Sequence, residues 1–189
     1  DLGPVISAVD LSTSNLQVIY KDESGQDQMA LVSVAGARTN YGVPSTWSAG
    51  TPTSSNPDKT TVSSVVVNVE TTGEVHQLNG LSMTRYGGNN ATVEVTSGTY
   101  ISPTGDYVSL ATEANNPIVI NINSGEVTEG ALVLSGSNES QAVISATQDS
   151  RVADISVNGE SLDTQVDCSN ADTAVKEVLG AILSRLPIN

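Results

Sequence analysis

Short runs in which apolar and polar residues alternate recur along the whole chain. Leu16, Val18 and Tyr20 form one such run, and Met29, Leu31 and Val34 return after a polar stretch at Lys21–Asp27. A period of two belongs to a strand with one face turned toward a core. The pattern predicts strands at Pro4–Val9, Leu16–Lys21, Gln28–Ala35, Val62–Glu70, Glu74–Leu78, Leu81–Tyr86, Ala91–Thr96, Tyr107–Ala111, Ile118–Asn123, Ala131–Leu134, Gln141–Ala146 and Arg151–Val157. Turn residues separate them, among them Thr72-Gly73, Asn79-Gly80, Gly87-Gly88-Asn89-Asn90, Pro103-Thr104-Gly105 and Asn158-Gly159. Such residues accept positive φ or bond to their own backbone. Many short strands, each followed by a turn signal, predict an all-β fold: an antiparallel sandwich or barrel, jelly-roll-like.

The last stretch changes period. Val175, Val178, Leu179, Ile182 and Leu186 fall on one stripe of a helix. Ser169 or Asn170 can cap it, Asp172 suits its first turn, and Pro187 stops it. The expected organisation is therefore a β-rich domain over 1–168 and one C-terminal amphipathic helix over 169–189. That helix must bury its stripe on its own sheet or on a neighbouring subunit.

The segment 38–60 breaks the rhythm. It holds three Pro, two Gly and many Ser and Thr. So polar a stretch predicts a long extended loop or arm. Tyr41, Val43 and Trp47 are its apolar exceptions. They either pin the loop to its own sheet or anchor it on a neighbour, since aromatic residues are enriched at interface centres. With Val178, Ile182 and Leu186 they form the set of candidate subunit-interface residues.

Composition sharpens this picture. The chain has 189 residues, no Phe, and 38 % hydrophobic residues. Its core must come from Val, Ile, Leu and Ala, and β-branched residues favour pleated surfaces. Seven basic residues against 21 acidic ones give a net charge of −14. Nucleic-acid phosphates are bound by clusters of Lys and Arg, and here the bases are scattered singly, so no broad nucleic-acid binding is expected. An anionic membrane surface is disfavoured for the same reason. No run of about 18 apolar residues exists to span a membrane as a helix. The chain begins at Asp1, which suggests a removed leader or numbering that starts inside a longer product.

Candidate chemistry is sparse. Cys168 and His76 are the only cysteine and histidine. A thiol nucleophile wants a paired base, and nothing in the sequence brings these two together. His76 lies beside Val75 in an alternating run and is expected on a solvent face. Zinc needs more His or Cys ligands than the chain has. Asp22–Asp27 places carboxylates at both ends of a turn but lacks the spacing of a calcium-binding helix–loop–helix. No catalytic residue, cofactor or metal site is expected, and no small-molecule substrate.

The expected function is a non-enzymatic, self-assembling structural subunit, a coat or capsid-surface (decoration) protein of a virus or phage. Its partners would be copies of itself and another shell protein, its location the virion. The order hairpin, sheet and final helix, with Arg151–Leu186 at its end, is similar to that of the coat proteins of single-stranded RNA phages. The acidic balance departs from their basic RNA-binding sheet, so no functional residue carries across. The alternatives are an exported extracellular filament or adhesin subunit at the cell surface, and a carbohydrate-binding accessory module built on Trp47 and the tyrosines.

Overall fold

A computed structural model describes residues 5–21, 26–45, 50–124, 126–136, 139–147, 152–162 and 166–167. These residues are all-β. They form β1 (Ile6–Lys21), β2 (Asp27–Ser45), β3 (Asp58–Val69), β4 (Glu74–Tyr86), β5 (Asn90–Ile101), β6 (Tyr107–Thr112), β7 (Ile118–Asn121), β8 (Val127–Glu129), β9 (Ala131–Ser135), β10 (Gln141–Ala146), β11 (Val152–Val157), β12 (Glu160–Ser161) and β13 (Val166–Asp167). All belong to one antiparallel sheet in the order β1-β2-β3-β4-β5-β6-β9-β10-β11-β12. From β1 to β6 each strand lies beside its sequence neighbour, as consecutive hairpins require. β7 then returns to the first half of β5, pairing Ala91 with Ile120, and β8 pairs β7. The expected C-terminal helix, with Val178, Ile182 and Leu186, lies outside the described residues, as do Trp47, Cys168 and the acidic turn residues 22–25.

Several expected strands are fused. The sequence separates Pro4–Val9 from Leu16–Lys21, yet one strand, β1, runs from Ile6 to Lys21. Its register against β2 slips between Leu11 and Thr13 and again between Thr13 and Leu16. Asn15 takes a positive φ of 53° there, and its N–H donates to Ser33 Oγ at 3.1 Å. Asn79-Gly80 likewise becomes a bulge inside β4 rather than a turn, with Gly80 at φ 60°. The carbonyls of Gly80 and Ser82 accept hydrogen bonds from Ser97 Oγ and Thr96 Oγ1, each at 3.0 Å. Side-chain hydroxyls thus satisfy backbone groups where the ladder is irregular.

The extended loop expected over 38–60 is corrected at its two ends, which lie in β2 and β3. Arg38, Thr39 and Asn40 on β2 pair with Thr61, Thr60 and Lys59 on β3. Thr39 Oγ1 and Thr60 Oγ1 meet across the pair at 2.9 Å. Near the hairpin tip, buried Asp58 accepts the Gly42 N–H at 3.0 Å, and Asn56 Nδ2 donates to the Gly42 carbonyl. Low apolar content does not forbid a strand when main-chain pairing and cross-strand hydroxyls supply the partners.

The core sits at the far end of the sheet. Leu110, Leu134, Ala142 and Val157 follow one another across β6, β9, β10 and β11, one row in register. The neighbouring row on the same face is Leu132, Ile144 and Ile155. Ile155 is 1 % exposed and Ala142 0 %. Leu162 closes against this cluster and donates its N–H to the Ile155 carbonyl at 2.8 Å.

Candidate functional site

The apolar face of the core continues across the sheet toward β1. Val34, Val65, Leu78, Tyr100 and Val108 form one register row over β2 to β6. Val108 and Leu110 are two residues apart on β6, so this row and the core row share a face. One step along, Leu16, Val32, Val67 and His76 form a second row on that face. An apolar belt therefore runs from β11 to β1. It is buried at Ile155, half-buried through β3 and β4, and open at β1, where Leu16 is 53 % and Val18 38 % exposed.

Strand β1 is the edge of the sheet: among the described residues it has β2 on one side and no neighbour on the other. Of the ten large hydrophobic residues that are exposed among the described residues, five lie in β1 and Val5 precedes it. Ile19, on the opposite face from Val18, is 67 % exposed. Between Ile6 and Tyr20 the one charged residue is Asp10. Soluble sheets usually shield an edge with lysines, prolines, inward charges or short strands. This edge is long and, from Leu16 to Tyr20, free of charge, Pro and Gly.

His76 corrects the expected solvent-face placement. It sits on the belt face opposite Val67, with its side chain 31 % exposed. Its ring stacks on Tyr100 at 6.1 Å between centroids, and Nδ1 lies 2.8 Å from the Tyr100 hydroxyl. Nε2 is 3.7 Å from Glu74. Burial, and then the nearby Glu74 charge, push the Tyr100 hydroxyl above its usual 10.0. β3 carries Val65, Val66 and Val67 in succession, so alternation alone could not tell which face of the paired strand looked inward.

Tyr41 and Val43 lie half-buried on β2, and the Val43 carbonyl accepts the Gly50 N–H within the same hairpin. The described tyrosines are spread over β1, β2, β4, β5 and β6, with Tyr86 donating to Glu94 at 3.2 Å. A cleft of about 460 Å³ opens where β6 and β7 diverge from β5, lined by Glu94, Thr96, Thr112, Glu113, Asn115 and Pro117. Glu113 accepts Asn116 Nδ2 at 2.9 Å. Among the described residues no three His, Cys, Asp or Glu side chains gather to hold a metal, and no helix is long and apolar enough to cross a membrane.

The signal for the edge was present in the sequence, as an uncharged alternating run at Leu16–Tyr20. What it lacked was the pairing that leaves this run without a second neighbour. No protein-family model matches the chain, and no curated protein or solved structure is significantly similar to it.

Proposed function

We propose that this chain is a non-enzymatic structural subunit that assembles with copies of itself, as a coat or capsid-surface protein of a virus or phage. The observation that carries the reading is the edge strand β1, which is 16 residues long and holds half of the exposed large hydrophobics among the described residues. An unshielded apolar edge templates another strand, and a protein that must stay apart from its copies blocks it. In this reading the −14 charge is a solvating skin on the outward face of a shell or of a decoration layer over one. The partners are further copies and an underlying shell protein, and the location is the virion. A sandwich or jelly-roll-like layering closed by an amphipathic helix over 169–189 belongs to the same proposal.

Size-exclusion chromatography with light scattering, followed by negative-stain imaging, tests it. The expected result is a concentration-dependent oligomer or closed particle. A monomer that persists at high concentration, alone and with candidate shell proteins, would refute the reading.

A further inference from the structure

Resting on that self-assembly reading, we infer that the partner of β1 is β1 of a second copy. The two pair antiparallel about a two-fold axis at Val18, through the stretch from Leu16 to Tyr20.

The first reason is length. The far end of the sheet path is β12, two residues long, and the side branches end in β8, three residues long, and β13, two residues long. None of these is as long as the five-residue stretch Leu16–Tyr20, so a head-to-tail contact through these ends could not cover it. Among the described edges only another β1 matches it, and like edges meet about a two-fold axis.

The second reason is register. The slips around Thr13 bend the first half of β1, whereas Leu16 to Lys21 pair with Val32 to Asp27 without interruption. A two-fold at Val18 places Val18 against Val18, Leu16 against Tyr20, and Gln17 against Ile19. An axis perpendicular to the sheet keeps each face on its own side. The apolar belt that ends at Leu16 and Val18 then continues into the belt of the second copy, and Ile19 of each chain is covered on the other face.

The third reason is charge. Two molecules at −14 repel, but not through this edge. Over β1 and β2 the acids Asp10 and Asp27 balance Lys21 and Arg38. The turn between the two strands adds Asp22 and Glu23, so the hairpin carries −2 of the −14, and the stretch Leu16–Tyr20 carries none of it.

Facing residues on antiparallel strands bring their Cβ atoms to about 4.5–5.5 Å, close enough for a cystine after a small adjustment. The test places Val18→Cys in a Cys168→Ser background, with Thr104→Cys, in the remote turn between β5 and β6, as the control. Under mild oxidation, most of the Val18→Cys protein should run as a covalent dimer and the control should not. Val18→Lys should weaken self-association at least tenfold while leaving the β circular-dichroism spectrum unchanged, because the side chain is exposed. If the protein assembles but Val18→Cys links no better than the control and Val18→Lys assembles normally, the two-fold pairing is overturned and the assembly reading stands. If the wild-type chain does not self-associate at all, both fall.

Discussion

Arg38 on β2 stands directly across from Asp10 on β1, and its Nη1 donates to both carboxylate oxygens, at 3.0 and 3.2 Å. The guanidinium Nε turns back to Asn40 Oδ1 at 3.0 Å, so the fork is held in place. Both partners are more than half exposed, at 51 % and 67 %. Exposed pairs add about 0–1 kcal/mol to stability. The consequence of this pair is therefore the charge of the edge rather than the stability of the fold.

Arg38→Ala should leave the thermal midpoint within about 2 °C of wild type. It should weaken self-association at low salt, because it uncovers a carboxylate on β1. Raising ionic strength past about 0.1 M, where the Debye length falls to about 10 Å, should restore much of the loss. Asp10→Asn in the same background should restore it without salt. Light scattering across a salt series reads all of these outcomes.

Ile155 is the largest fully buried side chain among the described residues. Truncation to Ala removes its contacts with the Leu134 and Leu162 cluster and leaves a cavity. Ile155→Ala should cost about 2–5 kcal/mol in urea unfolding. Ile19→Ala, on the exposed edge, should change stability by no more than about 0.5 kcal/mol. Similar losses at the two sites would show that the core does not lie at the β9–β11 end.

Gly130 joins β8 to β9 at a φ of 103°, a backbone state L side chains rarely adopt. A Cβ there would also press on the Pro117 carbonyl and the Ile118 Cα. The residue links three strands, since its carbonyl accepts the Ala146 N–H at 2.9 Å. Gly130→Ala should lower the thermal midpoint by roughly 5–10 °C, from strain of about 1–3 kcal/mol and the close approach. An unchanged midpoint would mean the chain can turn there by another route.

Tyr100 gives the fold a stability term that depends on alkaline pH. Its folded pKa is raised, by burial first and Glu74 second, above the 10.0 of an open chain. The neutral phenol is therefore favoured by folding. This contribution is whole below pH 10.0 and is lost as pH rises through the folded value. Ultraviolet titration of wild type minus Tyr100→Phe should give a phenolate midpoint above 10.0, and Glu74→Gln should lower it only partly. A midpoint at or below 10.0 would refute the placement of Tyr100 on the half-buried belt.

Much of the strand pattern was legible along the chain, because period-two alternation and turn residues are local signals. The hairpin joining Leu16 to Val32 and the turn at Thr72-Gly73 follow from neighbouring residues alone. Asn79-Gly80 has the signature of a turn yet forms a bulge, because the same positive φ serves either and only the partner strand decides between them. The segment 38–45 has the composition of a loop yet is strand, because polar composition says nothing about the hydroxyl and main-chain partners that β3 supplies.

By itself the sequence determined that this chain builds antiparallel sheet from Val, Ile, Leu and Ala, with three acidic residues for every basic one. Tertiary structure alone decided which face of each strand is shared, so that residues as distant as Leu16 and Ile155 lie on one belt. It also decided that β1 ends the sheet among the described residues. The reason is physical: alternation is written into each strand separately, whereas a register row and an unpaired edge exist only once strands far apart in the chain have met.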